Sequence, residues 1–140
     1  MKKIVVALAI VSALVFAFSF TSSNSETEFS KESLKTKLTA TNKKDISFEK
    51  ILKQHKGKTV VIEVWASWCS DCIKSMPEVK ELKTQYPDVA FVNLSCDKTY
   101  DAWQNGIEKH EVSGENYLIK DGMKGAFGKS IDLDWIPRYV

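Results

Sequence analysis

From Thr59 to Leu94 the chain runs through an apolar strand, a Cys-x-x-Cys, an amphipathic helix and a second apolar strand in direct succession. No other feature of the 140 residues constrains the fold as tightly. Thr59 to Trp65 is β-branched and almost continuously apolar, the pattern of a strand buried on both faces, as in a parallel sheet. Cys69-Ser70-Asp71-Cys72 closes that strand and starts a helix. The helix's predicted buried face carries Ile73, Met76, Val79 and Leu82, and Tyr86-Pro87 ends it. Val89 to Leu94 reads as the next strand. Strand, helix and strand in so short a span make a βαβ unit, so the two strands should be parallel and the crossover right-handed.

The rest of the chain organises around that unit. Met1-Lys2-Lys3 is a short basic start, Ile4 to Phe20 contains no charged residue, and Thr21 to Ser25 is polar. This is the layout of an export signal, so residues 1–20 are read as a signal peptide or a retained membrane anchor. Residues 21–44 are rich in Ser, Thr, Lys and Glu, with Phe29, Leu34 and Leu38 as the bulky apolar residues. Such a segment buries too little surface to offset its ordering entropy and is expected to be a polar tether. A single domain should then occupy residues 45–140. It begins with a helix built around Ile46, Phe48, Ile51 and Leu52 that stops near Gly57. Beyond Cys96, Tyr100 to His110 looks helical, Tyr117 to Ile119 is a short apolar run, and Gly122 to Ser130 suggests a brief helical turn around Phe127.

Charge excludes one class of partner. Residues 1–21 hold two lysines and no acids, so the remainder has 18 basic and 18 acidic residues. A formally neutral domain lacks the basic surplus of a nucleic-acid binder. The stretch from Ser30 to Lys58 is locally basic, with nine lysines against three acids, and is read as a solvated linker running into a surface helix.

Two cysteines separated by two residues serve as half of a zinc site, as a redox pair or as a structural staple. A structural zinc site needs four ligands, typically with a second pair, and here Cys96, His55 and His110 stand apart from one another. A staple closing so small a loop removes little entropy from the unfolded chain. The redox use has physical support from position. Cys69 lies where a buried strand hands over to a helix, and the unpaired amides and dipole of a helix start stabilise a thiolate, the attacking species. Cys72, one turn in, is expected to stay protonated until it attacks the mixed disulfide and releases the product. Trp65 and Trp68 flank the pair and offer it an apolar surround. Asp71 places negative charge near Cys69, which leans towards a reductant rather than an oxidant.

Val64-Trp65-Ala66-Ser67-Trp68-Cys69-Ser70-Asp71-Cys72, with Pro77 five residues on, resembles the thioredoxin superfamily, and "SMPEVKEL" behind an export segment resembles its exported TlpA-like branch. That branch includes reductants of apocytochrome c cysteines. The resemblance covers about residues 46–140. It implies the α/β thioredoxin-like fold, a central sheet flanked by helices, located outside the cytoplasm in the periplasm or on the outer face of the membrane. It implies a thiol–disulfide oxidoreductase acting on protein thiols and disulfides, recharged by a dithiol electron donor. No cofactor is expected beyond a Cys69–Cys72 redox disulfide, and no metal. Glu63, six residues before Cys69, falls where such proteins often keep a buried acid, which would accept the proton of Cys72. Ile136-Pro137 matches the family's proline facing the dithiol, which implies a cis peptide and a backbone at Ile136 on which a substrate strand can pair. A non-catalytic metal- or copper-handling module using the same thiols, or an inactive fragment, is the alternative. Cys96 is expected to be a small, buried, inert thiol.

Relatives of this type continue past the cis-proline with two strands and a closing helix, whereas Val140 is three residues beyond Pro137. The sequence is therefore expected to represent a truncated domain lacking its C-terminal hairpin and helix, with an exposed sheet edge.

Overall fold

The computed structural model describes residues 29–140. The export segment expected over residues 1–20, and the tether expected from 21 as far as 28, lie outside the described residues.

A short helix, α1 (Lys31–Lys35), opens the described chain, capped by Ser30, whose Oγ accepts from the Ser33 amide. Strands β1 (Lys37–Ala40) and β2 (Asp45–Ser47) form a hairpin, and α2 (Phe48–Gln54) starts from a Ser47 cap. Strand β3 (Val60–Trp65) leads into α3 (Ser70–Gln85), which returns to β4 (Ala90–Ser95). Helix α4 (Tyr100–His110) connects to β5 (Glu115–Ile119). A 3-10 turn at Gly122–Lys124, helix α5 (Ala126–Ser130) and strand β6 (Arg138–Tyr139) complete the described chain.

The strands form one mixed sheet in the order β2-β1-β5-β4-β3-β6. Strands β3 and β4 are parallel, in register from Val60 opposite Ala90 to Trp65 opposite Ser95, as the βαβ reading requires. Strand β5 continues the parallel set, β1 and β6 join it antiparallel on either side, and β2 pairs antiparallel with β1. The core is filled by Trp65, Trp103, Phe48 and Phe127, all fully buried.

Two expectations are corrected. Residues 29–44 are not a tether. They form α1 and β1, and β1 sits inside the sheet between β2 and β5. The three apolar residues that seemed too few are the ones that pack: Phe29 lies edge-on to Phe48 at 4.9 Å, Leu34 lies against the core and Leu38 is completely buried. Backbone hydrogen bonds to strands on either side hold β1, and composition does not register them. The second correction concerns α3, where Leu82 is exposed. The inward face instead follows Cys72, Met76, Val79 and Lys83, spaced four, three and four residues apart, and turns a lysine under the helix.

Candidate active site

The end of β3 delivers Cys69 to the N-cap of α3 in an extended conformation. Its sulfur accepts a hydrogen bond from the Cys72 amide at 3.1 Å, one of the amides that a helix start leaves without an intrahelical partner. Cys69 and Cys72 form a disulfide with a Cα separation of 5.3 Å. Cys69 is 7% exposed and Cys72 is wholly inaccessible, so an incoming group meets Cys69. Trp68 stands beside it, largely exposed, whereas Trp65 is core.

The Ile136–Pro137 peptide is cis and faces the dithiol. The Ile136 carbonyl oxygen lies 3.6 Å from Cys69 Sγ, and the Ile136 side chain is buried. The chain then enters β6, which places Tyr139 opposite Glu63 and Arg138 opposite Val64 of β3.

Glu63 is 3% exposed and lies inside the sheet between β4 and β6, not on an open edge. Its Oε1 has no hydrogen-bond partner, and Oε2 is 3.9 Å from Lys83 Nζ. Burial pushes its pKa up, and the Lys83 ammonium and the nearby Tyr139 hydroxyl offset part of that rise. Burial also pushes Lys83 down, against the pull of Glu63. Lys83 is held in place by donating to Asn93 Oδ1 and the Ser113 carbonyl, both at 3.1 Å. A cleft of about 330 Å³ under α3 reaches Glu63 and Lys83 between Met76, Pro77, His110 and Val112. On the other side of Glu63, the Tyr139 hydroxyl is 3.2 Å from Ser75 Oγ, which donates to the Cys72 carbonyl at 2.9 Å. Polar contacts thus run from the neighbourhood of Glu63 to the turn of α3 that carries Cys72.

A second buried acid was not anticipated from sequence. Asp97, just past β4, accepts from the Ser67 amide at 3.0 Å, from Ser67 Oγ at 2.7 Å and from Ser95 Oγ at 2.8 Å. It anchors the loop two residues before Cys69. Helix α4 presses on the same loop through Gly106, where an added Cβ would come within 2.5 Å of Ser67 Cβ. A polar cluster just after a parallel strand, level with the Cys-x-x-Cys loop, was the available signal for Asp97. Lys83 could have been found from the spacing to Cys72, Met76 and Val79. Trp135, exposed next to Ile136, carried no periodic signal.

Cys96 is buried and unpaired, as expected. Its pKa is pushed up to about 12, first by burial and then by the carboxylates of Asp97 and Asp121. The described residues contain no cluster of three or more His, Cys, Asp or Glu side chains able to hold a metal.

Comparison with known proteins agrees with this geometry. The thioredoxin family model matches residues 37–122. Over 81 residues the chain is 33% identical to the thiol-disulfide oxidoreductase ResA of Bacillus thuringiensis subsp. konkukian, covering 56% of this chain and 47% of that protein. The chain spans about half the length of the curated relatives it matches. The solution structure of a candidate thiol-disulfide oxidoreductase from Bacteroides vulgatus superposes with a TM-score of 0.61 at 35% identity, covering 74% of this chain and 66% of that one. A secreted Mycobacterium tuberculosis disulfide oxidoreductase shares the fold with a TM-score of 0.62 at 22% identity, covering 79% of this chain and 78% of that one.

Proposed function

This chain belongs to the thioredoxin family, and on that premise we propose that it exchanges disulfides with protein thiols through Cys69 and Cys72. The observation that carries the reading is the dithiol at the N-cap of α3, with Cys69 Sγ receiving the Cys72 amide and facing the carbonyl of a cis-proline pair.

In the reducing direction the Cys69 thiolate attacks one sulfur of a substrate disulfide. A mixed disulfide forms, and the other substrate sulfur leaves as a thiolate that takes a proton from solvent. Cys72 then loses its proton to Glu63, attacks Cys69 Sγ and expels the second substrate thiolate. The substrate gains two electrons, and the protein is left with the Cys69–Cys72 disulfide, which a dithiol donor reduces again. Glu63 suits the acceptor role because one of its oxygens is unpartnered and burial keeps its proton affinity above the usual carboxylate range. Trp68 and the Ile136 backbone supply the docking surface, with Pro137 turning that backbone towards the sulfur.

The reductant direction and a site of action outside the cytoplasm belong to the same proposal. Asp71 beside Cys69 supports the first, and the N-terminal sequence supports the second. Among the described residues no helix is long and apolar enough to cross a membrane, and Ile4 to Phe20 lie outside them.

Trapping tests the proposal. A Cys72→Ser variant should accumulate mixed disulfides with client proteins through Cys69, visible as bands that thiol reductants dissolve, and Cys69→Ser should accumulate none. An empty Cys72→Ser trap, with no disulfide reduction by the parent chain, would refute exchange activity.

A further inference from the structure

The chain buries Trp65 and Trp103 completely, yet leaves Trp68 61% and Trp135 63% exposed. Isolated exposed apolar side chains are ordinary, but these two line the same cleft of about 340 Å³, together with Cys69. Met123 and Ile136 complete its apolar lining, and a methionine lets such a wall adapt to different shapes. The ionic groups that line it are both carboxylates, Asp71 and Asp134.

Trp135 is held in position by its neighbours. Leu133 and Ile136 on either side are buried in the core. Arg138 bridges the loop between them, donating to Asp134 Oδ1 at 2.7 Å and to the Asp132 carbonyl at 3.4 Å. A side chain presented on a braced loop loses little further freedom when a ligand covers it. The cleft is of a size for one or two large side chains, and any occupant that reacts must bring a sulfur to Cys69 on its floor.

We infer that Trp135 and Trp68 form a two-sided clamp that selects extended peptide disulfides whose cysteine is flanked by a bulky aromatic or aliphatic residue and not by an acid. The inference rests on the exchange reading and adds the class of substrate to it. The bulky flank fills the space between the indoles and Met123. An acidic flank would find no free cation among the described residues there, because Asp134 engages Arg138 at 2.7 Å and Asp71 engages Lys74 at 3.5 Å, and its charge would be desolvated without a partner.

The test uses the full chain and three substrates: a disulfide peptide with Leu beside the cysteine, the same peptide with Asp there, and the small neutral hydroxyethyl disulfide. The parent should reduce the Leu peptide with the higher kcat/KM. Trp135→Ala should lower that value about tenfold, roughly the loss of one large apolar contact. It should lower hydroxyethyl disulfide reduction far less than that, and Trp135→Phe should retain most of the preference. An active parent that treats both peptides alike would overturn the clamp while leaving exchange standing. So would a Trp135→Ala variant that slows equally on all three substrates. A parent inert towards all three disulfides would overturn the clamp and the exchange reading together.

Discussion

Glu63 and Asp97 are buried to nearly the same degree, at 3% and 4% exposure, yet the chain surrounds them in opposite ways. Asp97 is saturated, with donors from Ser67 and Ser95 reaching both of its oxygens at 2.7–3.3 Å. Glu63 has one oxygen with no partner and the other 3.9 Å from an ammonium. A carboxylate with its hydrogen bonds filled fixes the loop it holds. One left short has its proton affinity raised and can take a proton from a neighbour. Burial alone therefore does not separate a loop anchor from a candidate proton acceptor; the donors around each acid do.

The sharpest way to break this contrast is Asp97→Ala. It strands the Ser67 donors in a buried site and should cost about 3 kcal/mol of stability, read as a lower denaturant midpoint. Glu63→Gln should do the reverse, leaving stability near the parent's at neutral pH while slowing resolution of mixed disulfides about 100-fold in stopped-flow exchange. The same variant has a pH signature. Glu63 binds its proton more tightly in the folded chain than the ordinary value of 4.5, so the folded state carries the extra proton above that pH. Stability from this group is fully present at low pH and is lost as pH rises from about 4.5 through the folded pKa. Glu63→Gln should flatten that decline in urea titrations across pH.

Lys83→Met comes next. Losing two hydrogen bonds should cost about 1 kcal/mol. Without the ammonium, Glu63 holds its proton more firmly, so the pH profile of exchange should move upward. An unmoved profile would mean that Lys83 does not act on the acid. The smallest effect is expected at Cys96. With its pKa at about 12, only about one thiol in ten thousand is ionised at pH 8. Iodoacetamide should label Cys69 in the reduced protein and spare Cys96 until it unfolds, and Cys96→Ala should leave the exchange rate unchanged.

Much of this was legible in the sequence where local pattern and local chemistry coincide. The two parallel strands, the helix between them, the helix at Tyr100–His110 and the turn around Phe127 follow from apolar periodicity and helix signals. Cys69 and Cys72 followed from their position at a strand-to-helix junction. Glu63, Ile136 and Pro137 needed the family resemblance as well. What pattern missed was long-range. Strand β1 is held by partners ten and about eighty residues away, Ser47 opposite Lys37 and Ile119 opposite Leu38. Its one fully buried apolar side chain, Leu38, gave no alternation to read. The inward face of α3 was misassigned at Leu82 because a lysine occupies the register position an apolar residue would have marked.

The sequence by itself determined that two thiols stand where an apolar strand hands over to a helix, which residue type, short spacing and the periodicities of strand and helix encode. The roles of Glu63 and Pro137 came with the family resemblance. Only the tertiary structure decided which acid is under-satisfied, that Lys83 reaches it from beneath α3, that Asp97 locks the loop, and that Trp135 and Trp68 line one cleft. Each of those depends on residues tens of positions apart being brought together, and on how many hydrogen-bond donors the packed interior leaves around each group.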